Sequence, residues 1–184
     1  SLSLQSPQMR HTSGMTAPTP LREILHLVDG KPFTGAGERT APGYDPATGQ
    51  ETMMNDPKWL RAPTVFAAFQ KAGGKVCVIT AKDKLRLLLS NGLVYDGTAV
   101  AFSSEKANTA TRAHNGIDDV LSFVGLPLPD VYSAGLSEFV FAAGVKLLAR
   151  DRPELMYLST TDYVQHKYAP GSAGANSFYA MMDG

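Results

Sequence analysis

With one cysteine in 184 residues, no basic block and no apolar run of membrane-spanning length, the chain excludes several classes of function before any motif is sought. Cys77 can form no intrachain disulfide, and it lies inside the apolar run KVCVIT, where a thiol packs as a small core residue. This fits a reducing, cytoplasmic compartment. Lys plus Arg and Asp plus Glu each number 17, so the electrostatic footprint of a nucleic-acid binder is missing. No stretch reaches the roughly 18 apolar residues of a membrane helix, and the start, SLSLQSPQMRHTSG, lacks the basic and apolar regions of a secretory signal. The patterns G-x-G-x-x-G, G-x-x-x-x-G-K-[ST] and G-x-S-x-G are absent as well, which removes nucleotide loops and the serine-hydrolase elbow.

What is present divides into two parts. Residues 1–43 are rich in Pro, Gly, Ser and Thr, with one apolar patch, LREILHLV. They offer little apolar surface to offset the entropy of ordering the chain, so this segment is expected to be irregular and weakly packed. Residues 44–184 are regular. YDPATG (44–49) reads as a turn, and PTVFAAFQKA as a helix with Pro63 at its first position, ended by Gly73 and Gly74. KVCVIT, TAVAFS and LMYLST are short continuous apolar runs of the buried-strand type, separated by helical stretches. The longest of these, VYSAGLSEFVFAAGVKLLAR, places Leu136, Phe139, Val140, Ala143 and Leu147 on one face. Such alternation predicts an α/β fold with a mostly parallel sheet, whose ligands gather at the carboxyl ends of the strands.

Two strands end in polar clusters. LMYLST is followed by Asp162 and His166, oxygen and nitrogen donors of the kind a divalent metal such as zinc accepts. The same D-x-x-x-H spacing also describes an Asp that caps the next turn and a surface His. KVCVIT is followed by Lys82 and Lys84. Surface lysines on a first helical turn are ordinary, but the helix dipole disfavours cations there, and an anionic ligand would compensate them. If the two strands are parallel neighbours, all four side chains share one edge, an arrangement suited to a phosphate- or carboxylate-bearing substrate. His11 and His26 lie in the first 43 residues, His114 in the polar TRAHNG, and the Met53-Met54 and Met181-Met182 pairs read as core fillers.

MMNDPKWLRAPT (53–64), VITAKDKLR (78–86), FSSEKA (102–107), LPDVYSAGLSEFVFAAGVKLL (128–148) and MYLSTTDYVQHKYAPGSAGANSFYAMMD (156–183) closely resemble the phosphonoacetate hydrolases of the alkaline phosphatase superfamily. The resemblance covers about residues 44–184 and implies an alkaline-phosphatase-like sheet with flanking helices, here incomplete, preceded by a divergent segment, 1–43. It implies hydrolysis of the C–P bond of phosphonoacetate to acetate and phosphate. In that family two zinc ions hold the substrate and activate a threonine that attacks phosphorus. By resemblance, Asp162 and His166 are two ligands of one zinc, and Lys82 and Lys84 hold the substrate's anionic groups. The implied partners are a small anionic phosphonate and, in the complete protein, a second subunit. Neither nucleic acid nor membrane is among them.

Several family features have no counterpart here. The threonine nucleophile cannot be identified, ERTAPG stands where the family carries an Asn, and the later Asp-His pair and last His are absent. LHLVDG faintly resembles the first strand, which would make Asp29 a ligand, but too few residues separate it from YDPATG for the expected helix and nucleophile turn. The chain thus reads as an incomplete gene product, expected to bind zinc weakly and to be inactive alone. A non-catalytic protein keeping part of the fold is the alternative, with a phosphodiesterase or pyrophosphatase of the same superfamily as a further variant.

Overall fold

A computed structural model describes residues 27–28, 31–32, 43–44, 48–52 and 55–184. The chain forms two compact units, Ser1–Thr52 and Met53–Gly184. In the first, β1 (Leu27–Val28) pairs antiparallel with β2 (Lys31–Pro32), and β3 (Gly43–Tyr44) with β4 (Glu51–Thr52). Residues 45–47 of the YDPATG stretch, expected as a turn, lie outside the described residues. Asp29, His11, His26 and most of the segment expected to be irregular lie outside the described residues, as do Met53 and Met54.

The second unit is built on a parallel sheet. Strand β5 (Val76–Thr80) is central, flanked by β6 (Ala99–Ser103) and β7 (Leu155–Ser159), all parallel. Each strand has the continuous apolar character of a parallel sheet covered on both faces. β5 and β6 are buried at every position. On one face Cys77, Ile79, Val100 and Phe102 pack against Leu136, Phe139, Val140, Ala143 and Leu147 of the long helix. On the other, Val76, Val78 and Ala101 meet Phe66, with Leu89, Tyr95 and Tyr157 around them. β7 lies at the edge, and all five of its residues are half-exposed.

Helices α1 (Val65–Lys71), α2 (Asp83–Leu89), α3 (Arg112–Asn115), α4 (Val120–Val124), α5 (Gly135–Asp151), α6 (Tyr163–Lys167) and α7 (Ala173–Asp183) complete the unit. Two sequence expectations are corrected. Pro63 is not the first residue of α1: Thr64 is the N-cap, its Oγ1 accepting from the Ala67 amide at 3.1 Å and donating to the Asn91 carbonyl at 3.0 Å. That hydroxyl satisfies an orphan amide that Pro63 could not reach. α5 starts at Gly135 rather than Val131, because Asp130–Ser133 form a turn closed by Ser133 Oγ and N on the Asp130 carbonyl. No helix among the described residues is long and apolar enough to cross a membrane.

Candidate functional site

β5 and β7 run side by side in register, Thr80 opposite Ser159, so their continuations leave the sheet at one edge. A pocket of about 210 Å³ opens there, lined by Lys82 after β5 and by Asp162, His166 and Lys167 after β7, with Tyr132 and Ser133 across from them. The structure thus brings together three of the four side chains singled out in the sequence. Lys84, two residues beyond Lys82 on the first turn of α2, is exposed and does not line the pocket.

Local geometry explains the placement of each group. Asp162 occupies the N-cap position of α6, yet its side chain does not cap the helix. The cap role falls to Thr161, whose Oγ1 accepts from the Tyr163 amide at 3.3 Å, while the Thr161 amide donates to buried Ser137 Oγ at 3.3 Å. Asp162 Oδ2 instead contacts His166 Nε2 at 2.6 Å, one helical turn on, and both side chains are largely exposed.

Lys82 sits at the N-cap of α2. Its Nζ donates to the Val131 carbonyl at 2.9 Å and lies 5.3 Å from the Tyr132 ring centroid. The helix start does not depend on an external anion, contrary to the sequence argument. Glu105 accepts from the Asp83 amide at 2.9 Å and stands 4.0 Å from Lys82 Nζ, so a carboxylate of the chain already offsets the cation there. Asp83 is itself held by Arg86 and by Ser103 Oγ at 2.9 Å. Burial acts to raise its carboxyl, but the Arg86 and Ser103 hydrogen bonds and the Arg86 and Lys106 charges hold it below the ordinary carboxylate value.

Lys167 and Tyr132 are among the lining residues that sequence reasoning missed. Lys167 donates from Nζ to the Tyr132 carbonyl at 3.0 Å and lies over the Tyr163 ring at 4.4 Å. Tyr132, 82% exposed, meets both lysines, Lys82 through its ring and Lys167 through its carbonyl. Lys167 adjoins His166 in sequence, which was an available signal; Tyr132 lies in a loop with no periodicity to mark it. His114, in the polar TRAHNG stretch, is exposed on α3.

Zinc suits the chemistry of this donor pair, one carboxylate and one imidazole. Two ligands of a tetrahedral zinc stand about 3.3 Å apart when each bond is about 2.0–2.1 Å. Asp162 and His166 are closer than this, but both are exposed side chains free to part by less than an ångström. Among the described residues no group of three or more His, Cys, Asp or Glu could hold a metal. On its own the pair would supply fewer donors than a stable zinc site wants.

No protein-family model matches the chain. It is similar to a crystal structure of phosphonoacetate hydrolase from Sinorhizobium meliloti 1021 in complex with phosphonoacetate, with 67% identity and a TM-score of 0.73. The match covers 76% of this chain and 34% of that one. A structure of phosphonoacetate hydrolase from Sinorhizobium meliloti 1021 in complex with phosphonoformate matches at 66% identity, with the same coverage and TM-score. Over the shared length the chain is closely similar to phosphonoacetate hydrolase in sequence and in its α/β fold. It spans about a third (34%) of the length of the solved structures it matches.

Proposed function

We propose that this chain carries part of a zinc-dependent phosphonoacetate hydrolase site, the part that holds the anionic substrate and one side of a metal, in a cytoplasmic enzyme. One observation carries the reading: Lys82, Asp162 and His166 line a single pocket beyond the ends of two adjoining parallel strands. The identity to phosphonoacetate hydrolase supports it.

The chemistry is coherent with this arrangement. Breaking a C–P bond next to a carboxylate expels a carbanion, tolerable only when delocalised as an enolate, and a cation at the carboxylate stabilises the developing charge. Lys82 holds a substrate oxygen, while exposed Lys84 adds to the positive field at the same end of the sheet. Asp162 and His166 would hold zinc, which when bound polarises phosphoryl oxygens as a Lewis acid. A covalent route also needs an activated hydroxyl, and the threonines nearest the expected position, Thr34 and Thr40, lie outside the described residues.

A binding role without turnover is favoured by one feature, the two metal donors among the described residues where a stable zinc site wants three or four. Calorimetry and phosphate-release assays on the 184-residue chain separate the readings. We expect weak zinc binding, lost in Asp162→Ala and His166→Ala, phosphonoacetate binding in the millimolar range or tighter, and no measurable phosphate release. Clear turnover would place a nucleophile upstream of Tyr44. Failure to bind phosphonoacetate with zinc present would overturn the assignment of this pocket.

A further inference from the structure

We propose that Lys167 joins Lys82 in binding the anionic ligand of this pocket, and that both ammonium groups reach it by giving up backbone carbonyls of the 131–133 segment. The inference rests on the reading of the pocket as a phosphonate site and adds to it a second binding residue and a latch.

The geometry is specific. Lys82 follows β5 and Lys167 follows β7, yet their Nζ atoms donate to the carbonyls of consecutive residues, Val131 at 2.9 Å and Tyr132 at 3.0 Å. Among the described residues, these two lysines supply the hydrogen bonds that Val131 and Tyr132 receive. Both lysines line the same pocket as the Asp162–His166 pair. Each ammonium also lies against an aromatic ring, Lys82 against Tyr132 and Lys167 against Tyr163. Carbonyl dipoles and ring faces thus offset the repulsion of two gathered cations.

A peptide carbonyl is a neutral acceptor. An oxyanion makes a shorter, charge-assisted bond to the same ammonium, roughly twice as strong as a neutral one. A ligand with anionic groups at both ends, such as phosphonoacetate, can engage one lysine with each end and displace both carbonyls. The 131–133 segment, bearing the exposed Tyr132 ring, is released in the same step. Binding and loop release are then two readings of one exchange.

Two-dimensional amide NMR of the zinc-supplemented 184-residue chain, titrated with phosphonoacetate, tests this. The Tyr132 and Ser133 amides, which follow the two carbonyls, are expected to shift saturably with the same apparent Kd as overall binding. Lys167→Gln should weaken Kd about tenfold, which is about 1.4 kcal/mol. Lys167→Arg should retain most of the affinity, and Lys71→Gln, exposed at the end of α1, should match the wild type. Circular dichroism of each variant verifies the fold. Saturation without movement of the Tyr132 and Ser133 amides, or unchanged affinity in folded Lys167→Gln, would overturn the proposal while leaving the phosphonate reading intact. A wild-type chain that binds no phosphonoacetate would remove both.

Discussion

Gly116 and Gly125 offer a matched pair of perturbations. Both are left-handed C-caps of short helices with φ of 75°, Gly116 ending α3 and Gly125 ending α4. They differ in what a methyl group would meet. At Gly125 the nearest atom is the Lys146 ammonium at 3.3 Å, the far end of a flexible side chain. At Gly116 it is the backbone carbonyl oxygen of Ala99 at 2.1 Å, in the first residue of β6. Gly125→Ala therefore incurs little more than the left-handed conformation, about 1–2 kcal/mol. Gly116→Ala incurs the same and must also displace a buried strand, an overpacking cost of about 1–3 kcal/mol. The expected losses are about 1–2 kcal/mol for Gly125→Ala and about 2–5 for Gly116→Ala, the latter a large share of the roughly 5–15 kcal/mol that stabilises a domain. Urea unfolding followed by circular dichroism gives both numbers, provided the m-value is unchanged. Losses equal to within about 0.5 kcal/mol would show that β6 yields freely, and the argument from close approach would fail.

Acid should weaken the fold in part through Asp83. Its folded carboxyl lies below the ordinary carboxylate value, so its contribution is present above that value and is lost as pH falls through the folded pKa. Asp83→Asn should flatten the acid limb of the stability curve below about pH 5, measured by urea midpoints at several pH values; an unchanged slope would contradict this. Burial, with a smaller push from Asp151, raises the Cys77 thiol to about 12. A disulfide reagent at mildly alkaline pH should therefore label it only as fast as the chain opens, the rate rising with urea alongside unfolding. Rapid labelling in native buffer would show that β5 is not sealed.

The strands were legible in the sequence because a parallel sheet covered on both faces needs continuous apolar runs, and KVCVIT, TAVAFS and LMYLST are such runs. The core face of α5 was equally plain, since Leu136, Phe139, Val140, Ala143 and Leu147 recur at helical spacing and are all buried. The start of α1 was misread although its signal is local: Thr64 is a favoured N-cap residue that accepts from the amide three residues on, and Pro63 was read in its place. The site was half legible. Lys82, Asp162 and His166 follow from strand ends, a local feature. Glu105 lies in a 3-10 helix (Ser104–Thr109) directly after β6 and Tyr132 in a turn, both brought in by packing, and the carbonyl partners of the lysines lie 49 and 35 residues from them.

The order β6–β5–β7 also sets a timetable. Val76 meets Ala99, 23 residues on, but meets Leu155 only across 79 residues. Loop-closure entropy grows as about (3/2)RT ln n, so the second pairing costs about 1 kcal/mol more to bring together than the first. The β5–α2–β6 unit should therefore form the nucleus, with β7 joining after the rate-limiting barrier. Leu158→Ala is expected to speed unfolding and leave refolding nearly unchanged, a φ-value near zero in stopped-flow kinetics; a value near one would place β7 in the nucleus. Lys82 would then be positioned by the first folding event and Asp162 and His166 by the last. The pocket exists only once the slowest-gathered strand has docked, so any perturbation that frays β7 removes the donor pair while most of the sheet still stands.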